Sequence, residues 1–374
     1  MNDELKLIRE EISSIDEKMV ALFSDRMSAV EKLAEYKKAH GMPILDLKQE
    51  EKIIKENEAL LKNPELAPYY KSFITNIMTQ SDKYQQRLNE GMKVAYNGEE
   101  GAFAHIAAKR IFPEGIHQAY SSFSEAYEAV EKGECDCAVI PIENSSAGEV
   151  GVVMDLVFEG NLNVTGSYTL PVTQNLLVKP GTKIDDIKTV ISHSQALMQC
   201  EKYIESHGWE TVKANSTSLS AKQVSESDRN DIASIASEEA ANLYGLEILD
   251  HDINENHSNT TRFVVLSHGE NVLKGNKDRK FIMMFTVSHV AGALAKAINA
   301  IGDCGFNMVS LMSRPIKSKA WQYYFYAELE GDDQSESGQK MLQMLSEQCD
   351  FIKIAGRYTT DIDLGNSINF EIGE

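Results

Sequence analysis

A heptad pattern in the first 40 residues constrains this chain more than any other feature. Apolar side chains recur at alternating steps of three and four residues, at Leu5, Ile8, Ile12, Ile15, Met19, Leu22, Ala29, Leu33 and Tyr36. That spacing predicts one long helix with an apolar stripe, and Gly41 and Pro43 are expected to end it. At about 1.5 Å per residue, roughly 37 residues give a helix about 55 Å long. So long a stripe must be buried against other helices or against another chain.

Arg26 interrupts this stripe at a position where the repeat requires an apolar residue. A buried guanidinium is unfavourable unless an anion meets it. The Arg26 side chain therefore either extends to solvent at the edge of the helix interface or pairs with a Glu. Alternatively, it binds a ligand carboxylate through bidentate hydrogen bonds. Arg9 and Lys37 flank the same stripe and are separated by about 42 Å along one helix. If both contact one small ligand, Arg9 must come from a second subunit.

Two further helices are predicted at about residues 46–61 and 69–89. Each places a polar pair four residues apart on one face, and such a pair is most often solvated. Together with the cations of the first helix, these pairs resemble the all-helical chorismate mutase domain over some 85 residues. The matching residues are Arg9, Arg26, Lys37, Asp46, Glu50, Ser81 and Gln85. The chain departs from that family at Gln49, where many relatives carry an Arg.

The resemblance implies a reaction that these residue types suit. The chorismate rearrangement is intramolecular, so the enzyme must hold a compact conformer and stabilise the charge that develops on the ether oxygen. The resemblance implies that Arg9 of the partner subunit and Arg26 bind the two carboxylates. It also implies that Lys37 and Gln85 donate to the ether oxygen as catalytic residues. The other three residues of the set bind the substrate, the two carboxylates orienting the ring hydroxyl and the cations.

The periodicity changes after residue 92, where strands begin to alternate with helices. Strands are predicted near residues 93–96, 137–140, 189–192 and 232–235. This alternation predicts a parallel, doubly wound sheet. In such sheets ligands bind beyond the carboxyl ends of strands, near helix N-termini.

Three motifs lie at strand-to-loop junctions of this kind. They are Pro141-Ile142-Glu143-Asn144-Ser145, Ser192-His193-Ser194-Gln195 and Asn259-Thr260-Thr261-Arg262-Phe263. Each has a simpler interpretation alone, in which Asn144 closes a turn, His193 caps a helix and Gln195 starts one. In this order the motifs resemble prephenate dehydratase. The resemblance implies two α/β lobes, like those of a periplasmic binding protein, with the site in the cleft.

The resemblance also implies how the second site acts. Prephenate must lose its ring carboxylate as carbon dioxide and its ring hydroxyl as water. Thr261 would donate its proton to the leaving hydroxyl as a catalytic residue, Arg262 is a possible substrate-carboxylate partner, and Asn144 and Gln195 would position the substrate. The remaining substrate-binding residues would be Glu143, Ser145, Ser192, His193 and Phe263. After the turn at residues 98–101 hydroxyl residues are missing, so substrate contacts there would rest on backbone N–H groups.

A third segment follows a polar stretch, residues 271–279, which is predicted to be a linker. Its β-α-β-β-α-β order is ferredoxin-like, a fold that alone implies no activity. Gly292-Ala293-Leu294 and Ser313-Arg314-Pro315 resemble the motifs of a phenylalanine-binding ACT regulatory domain, although relatives usually carry Glu where Met312 stands. The resemblance implies L-phenylalanine as an allosteric ligand, bound by these motifs together with Asn307 and Met308. The alternative is that this segment only dimerises.

The composition limits the class of partner. A net charge of −20 should repel nucleic acid and anionic membranes, and no apolar run approaches the roughly 20 residues of a membrane span. The first nine residues are polar, unlike a signal peptide. The five cysteines are expected to be reduced thiols of a cytoplasmic protein. Residues 1–91 hold 14 Lys and Arg against 17 Asp and Glu, so a basic cluster for an acidic substrate is most easily built there.

The leading hypothesis is a three-domain enzyme with boundaries at 1–91, 92–268 and 279–374. It would convert chorismate to prephenate and prephenate to phenylpyruvate in L-phenylalanine biosynthesis, with feedback inhibition by L-phenylalanine. The family implies a homodimer or a higher homo-oligomer and neither cofactor nor metal. One alternative keeps the dehydratase but makes the helical segment a dimerisation element. Another is a non-catalytic, two-lobed binding protein with a sensor.

Overall fold

The computed structural model describes residues 2–270, 279–319, 321–359 and 361–365. The chain divides into two compact units, Met1–Met92 and Lys93–Glu374. The first unit contains the three predicted helices, α1 (Asn2–Ala39), α2 (Leu47–Glu58) and α3 (Ala67–Glu90). Asp46 caps α2, because its side chain accepts a hydrogen bond from the Gln49 N–H at 3.1 Å.

The apolar stripe of α1 is only partly used within the chain. From Leu5 to Leu22 its side chains are exposed. Towards its C-terminal end α1 contacts α3 and buries Val30 and Ala34, whereas the predicted stripe residues Ala29, Leu33 and Tyr36 are exposed. The prediction of which α1 residues are buried within the chain is therefore wrong at the C-terminal end of the helix. An α-helix drifts by about 20° per heptad against a 3.5-residue repeat, which amounts to nearly one residue over four heptads.

The second unit is built from alternating strands and helices. Its strands are β1 (Lys93–Asn97), β2 (Ile116–Tyr120), β3 (Cys137–Asn144), β4 (Gly148–Glu149), β5 (Asn163–Pro171), β6 (Asn175–Val178), β7 (Thr189–His193), β8 (Glu210–Ala214), β9 (Ile232–Ala236), β10 (Glu247–Asp250), β11 (Thr260–Ser267), β12 (Arg279–Val287), β13 (Asn307–Pro315), β14 (Tyr323–Glu330), β15 (Cys349–Thr359) and β16 (Ile362–Asp363). Its helices are α4 (Phe103–Ile111), α5 (Phe123–Glu131), α6 (Gly151–Glu159), α7 (Ser194–Gln199), α8 (Glu201–His207), α9 (Thr217–Glu226), α10 (Glu238–Tyr244), α11 (Ala293–Asp303) and α12 (Glu336–Ser346).

These strands form two sheets, which define two lobes. The larger sheet has the order β13-β14-β12-β15-β5-β11-β3-β1-β2, with β4 beside β3 and β16 beside β5, and the smaller has the order β10-β6-β9-β7-β8. We call β1 to β5 with β11 the first lobe and β6 to β10 the second lobe. The chain leaves the first lobe after β5 and returns to it at β11. Two α/β lobes are therefore present, as the resemblance implied.

The prediction of a parallel sheet is wrong in part. In the first lobe β1 is parallel to β2 and β3, and in the second β7 is parallel to β8 and β9. However, β11 is antiparallel to β3 and β5, and β6 is antiparallel to β9 and β10. The exceptions are strands next to the two crossings between lobes, where the chain enters a sheet without the helical crossover that makes strands parallel.

The C-terminal segment has the predicted β-α-β-β-α-β order, as β12-α11-β13-β14-α12-β15, in a sheet with the order β13-β14-β12-β15. Its sheet continues into the first lobe because β15 pairs with β5 where Gly356 lies opposite Val164. A Cβ at Gly356 would collide with the Val164 carbonyl oxygen, so only glycine allows this approach. Apart from Arg279, the predicted linker lies outside the described residues.

Candidate active sites

The first candidate site joins α1 to α3. Arg26 of α1 is half-buried, and its Nη1 donates to Ser81 Oγ of α3. Lys37 Nζ donates to a backbone carbonyl of the α1–α2 connection. Ser81 and Gln85 are only 4% and 3% exposed, so the interpretation of this pair as a solvated face is wrong. Arg9 is exposed near the other end of α1, about 42 Å from Lys37 at the rise of a helix.

Asp82 belongs to this cluster, although the sequence did not single it out. It is hydrogen-bonded to the Glu50 side chain of α2, and Gln85 Nε2 donates to Asp82 Oδ1 at 3.2 Å. Burial, and then the charge and hydrogen bond of Asp82, raise the pKa of Glu50. One amide hydrogen of Gln85 is thus committed to Asp82, which leaves the other for a ligand. Asp82 precedes Gln85 by three residues on α3, and this spacing is the sequence signal that could have identified Asp82.

The second candidate site lies where β3 and β11 pair, with Asn144 opposite Thr261. Asn144 Nδ2 lies 2.9 Å from Thr261 Oγ1, 3.0 Å from Asn259 Oδ1 and 3.2 Å from the Thr260 carbonyl oxygen. Because an amide nitrogen carries two hydrogens, it is fully used by these acceptors. The prediction that Asn144 donates to the substrate must therefore be corrected. Ser145 is also engaged, since its Oγ accepts from the Thr260 N–H at 3.0 Å.

Arg262 and Phe263 do not face a ligand in this arrangement. Successive side chains of a strand point to opposite faces of its sheet, so Arg262 points away from Thr261. Its guanidinium lies 2.9 Å from Glu143 and 2.6 Å from the fully buried Glu328 of β14. The prediction that Arg262 binds a substrate carboxylate must be corrected, because protein carboxylates already neutralise it. Phe263 is 1% exposed and is part of the core.

The second lobe holds the motif around His193. Ser192 is fully buried and its Oγ donates to the Ile235 carbonyl at 2.6 Å, so it serves the sheet. The ring Nδ1 of His193 caps α7 by accepting from the Gln195 N–H at 3.3 Å, which agrees with the simpler interpretation of that residue. Gln195 is half-buried. Its polar side chain can serve a substrate.

The turn between β1 and α4 was expected to offer free backbone N–H groups. The Gly98 N–H instead donates to the Tyr120 carbonyl at 2.8 Å, and the Gly101 N–H donates to His105 Nδ1 at 3.0 Å. On the other side, Ser237 Oγ of the second lobe donates to the Gly101 carbonyl at 3.1 Å. This turn therefore connects the two lobes, and the N–H groups of Gly98 and Gly101 are not free for a substrate.

Arg314 of the predicted sensor is bonded to α6 of the first lobe. Its Nε and Nη2 donate to the two carboxylate oxygens of Asp155 at 2.9 and 3.2 Å, and the Tyr324 hydroxyl donates to the same group at 2.8 Å. Burial alone would raise the pKa of Asp155, but the hydrogen bonds from Arg314, Tyr324 and Lys317 outweigh it and lower that pKa. The guanidinium passes over Gly151, where any Cβ would collide with it. The prediction that Arg314 contacts a ligand must therefore be corrected, because Arg314 links β13 to α6.

The other predicted sensor residues lie around the start of α11 and along β13. Gly292 caps α11 with φ of 82°, and a Cβ placed there would meet no atom within 4 Å. Its backbone is therefore open to a ligand. Asn307 Nδ2 donates to Glu330 at 2.8 Å. Of the rest, Ala293 is buried, Leu294 and Met308 are half-buried, and Ser313 and Pro315 are exposed.

Two cavities in the described part of the chain lie beside the predicted residues. A cavity of about 550 Å³ is lined by residues that include Val287, His289 and Trp321. Another of about 240 Å³ lies between the lobes, beside Leu170 and Ser237. Among the described residues, no helix is long and apolar enough to cross a membrane. The same ranges contain no group of three or more His, Cys, Asp and Glu side chains placed to hold a metal.

Comparison with known proteins identifies the family. Residues 8–86 match the chorismate mutase type II family and residues 94–271 match the prephenate dehydratase family. The bifunctional chorismate mutase/prephenate dehydratase of Escherichia coli (strain K12) is 30% identical over 372 residues, covering 96% of this chain and 96% of that protein. The chain belongs to this family. This bifunctional chorismate mutase/prephenate dehydratase isomerises chorismate to prephenate and converts prephenate to phenylpyruvate.

Solved structures agree with the dehydratase part of this assignment. The prephenate dehydratase from Arthrobacter aurescens, in complex with L-Phe, superposes with a TM-score of 0.67 and 25% identity, covering 72% of this chain and 90% of that one. GqqA, described as a novel type of quorum quenching acylase, is 28% identical with a TM-score of 0.66, covering 71% of this chain and 97% of that one. Proteins described with different activities thus share much of this fold.

Proposed function

We propose that residues 1–91 carry the mutase site, residues 92–268 the dehydratase site and residues 279–374 an ACT domain that senses L-phenylalanine. The observation that carries the dehydratase part is the hydrogen bond of 2.9 Å between Asn144 Nδ2 and Thr261 Oγ1. The cluster that joins Arg26 to Ser81 supports the mutase part. We further propose a cytoplasmic homo-oligomer that takes no cofactor and binds neither nucleic acid nor membranes.

In the proposed mutase site, Arg26 of one subunit and Arg9 of the partner subunit bind the two carboxylates of chorismate. Lys37 and the free amide hydrogen of Gln85 stabilise the negative charge that develops on the ether oxygen. Glu50 orients the ring hydroxyl, and burial together with the neighbouring Asp82 raises its pKa. The exposed N-terminal half of α1 supports the sharing of this site between subunits.

In the proposed dehydratase site, Thr261 donates a proton to the leaving hydroxyl of prephenate. The ring carboxylate departs as carbon dioxide, its bonding electrons enter the ring, and the protonated hydroxyl leaves as water. Thr261 Oγ1 already accepts from Asn144, so its single proton is free to point elsewhere. Gln195 of the second lobe is the proposed neutral contact with the substrate. Thr261 recovers its proton from water after the step.

Purified protein given chorismate, and separately prephenate, is expected to produce phenylpyruvate from both. Each is followed by ultraviolet absorbance against a reaction without enzyme. Conversion of prephenate but not of chorismate would reduce the helical unit to a dimerisation element. Conversion of neither would leave a two-lobed binding protein.

Sensing is proposed from the open backbone at Gly292 and from the connections between the sensor and the dehydratase. Arg314 joins β13 to Asp155 of α6, and α6 follows the loop that starts at Asn144. To inhibit the dehydratase, L-phenylalanine must bind one conformation of these connected segments more tightly than another. The coupling free energy of such an effect is about 1–3 kcal/mol. The L-Phe complex of the Arthrobacter aurescens relative supports this choice of ligand.

Replacement Arg314→Ala is expected to weaken inhibition by L-phenylalanine while the uninhibited dehydratase activity persists. With the link to Asp155 gone, the concentration for half-inhibition should rise about five-fold or more. Lys317→Ala is the matched control, because Lys317 contacts the same carboxylate at 3.0 Å but is largely exposed and should contribute little. Calorimetry that finds no heat, together with no inhibition at millimolar ligand, would make the segment structural.

A further inference from the structure

Asn259 directly precedes β11 and is 2% exposed. Its backbone is fixed where the chain crosses between the lobes, because its carbonyl accepts from the Val172 N–H at 2.8 Å. Val172 follows β5, the strand from which the chain leaves the first lobe. Asn259 is thus held at the junction of both crossings, two residues before Thr261.

The side-chain oxygen of Asn259 collects several donors. Its Oδ1 accepts from Asn144 Nδ2 at 3.0 Å, from Ser146 Oγ at 3.3 Å and, at the outer limit, from Ser145 Oγ at 3.5 Å. Its own Nδ2 is buried and has no hydrogen-bond partner among the described residues. The contacts of this side chain with other described residues are therefore made through its oxygen.

The orientation of both amides follows from the backbone. Asn144 Oδ1 accepts from the N–H groups of Ser146 and Ala147 at 3.0 and 2.9 Å. The Asn144 nitrogen must therefore point the other way, towards Asn259 and Thr261. A flipped Asn259 would place an NH₂ group against the NH₂ group of Asn144, so the acceptor in this contact is the Asn259 oxygen.

We infer that Asn259 is a positioning residue of the dehydratase: together with the N–H groups of Ser146 and Ala147, it holds the Asn144 amide in the orientation in which its second hydrogen meets Thr261 Oγ1. One Nδ2 hydrogen is directed at Asn259, and the other is thereby directed at the Thr261 oxygen, with the Thr260 carbonyl as a lesser acceptor. With that lone pair occupied, the Thr261 proton turns away from Asn144. This inference rests on the proposed role of Thr261 and adds a residue that acts only through it.

The test combines Asn259→Ala with Thr261→Ala in the full chain. Loss of one positioning hydrogen bond is expected to lower dehydratase kcat about ten-fold, with KM for prephenate changed less than about two-fold. In the Thr261→Ala background the same replacement should have no further effect, because a positioning residue has nothing left to position. Ser146→Ala is the matched control, since it removes a donor to the same oxygen but leaves the contact with Asn144.

The outcomes separate this inference from the proposed function. Full activity of Thr261→Ala would remove the proposed role of Thr261. An impaired Thr261→Ala with a fully active Asn259→Ala would overturn the role of Asn259 alone, and so would losses that multiply in the double variant. If thermal unfolding shows that Asn259→Ala does not fold, Asn259→Ser takes its place in the cycle, because its shorter side chain cannot reach Asn144. Equal losses in Ser146→Ala and Asn259→Ala would also overturn the inference, since they would indicate a general loosening of the loop.

Discussion

Thr261→Ala is expected to lower dehydratase kcat by about 10²–10⁴-fold, which is the usual contribution of a positioned acid or base. Thr261 is 9% exposed and its hydroxyl is held by Asn144, so water cannot easily take its place. The mutase kcat of the same preparation should be unchanged, because Thr261 lies in the second compact unit and the mutase residues lie in the first. Phenylpyruvate formation from prephenate measures the first activity, and loss of chorismate measures the second.

Thr261→Ser is the matched control for this result. Serine keeps the oxygen and its proton, so it should retain more activity than alanine, although it loses the stiffness that a β-branched side chain gives to χ1. If alanine and serine variants both convert prephenate at the wild-type rate, Thr261 is a strand residue and the proposed acid must be sought elsewhere in the cleft.

Two mutase variants that are each inactive should recover activity when they are mixed. Arg9→Ala and Lys37→Ala chains carry their defects at opposite ends of α1, about 42 Å apart by the helical rise. In a dimer of one chain of each kind, one site contains both defects and the other contains neither. After random exchange of subunits in a two-fold dimer, about a quarter of the wild-type mutase activity should return.

Arg26→Ala mixed with Lys37→Ala provides the control for this recovery. These two residues lie in the same half of the shared site, so every site of the mixed dimer retains a defect and no activity should return. Exchange is followed with two differently tagged chains. Absence of recovery from the first pair, with exchange demonstrated, would place Arg9 outside the mutase site.

Local periodicity was sufficient to predict the three helices of residues 1–91, but it did not determine which neighbour each face meets. The heptad gave the length of α1 correctly because it depends only on the chain itself. Burial of Val30 and Ala34 depends on how α3 crosses α1, which no local pattern contains. Asp82 was missed for a related reason, since its partner Glu50 comes from a different helix.

The dehydratase motifs were found from the sequence as three separate stretches, and only the structure shows how their side chains are paired. The register that sets Asn144 opposite Thr261 follows from a strand that arrives from the other lobe. Arg262 shows that residue type and neighbours in the sequence do not by themselves identify a substrate-binding residue. A cation beside a reactive hydroxyl suggested an anionic substrate, but alternation along β11 turns it to the other face. There it meets Glu328, which lies 66 residues further along the chain.

The ion pair between Arg262 and Glu328 restricts how this chain can be recombined. Arg262 takes one carboxylate from its own lobe, Glu143, but the buried one comes from the C-terminal segment. Lys280 of the C-terminal segment lies 3.3 Å from the same Glu328. This carboxylate is therefore paired with one cation from the first lobe and one from the C-terminal segment. Removing one partner of a buried pair leaves an uncompensated charge, at about 3–5 kcal/mol. A hybrid with the C-terminal segment of a relative would therefore keep its reactive strand intact only where the donor supplies a carboxylate at this position of β14.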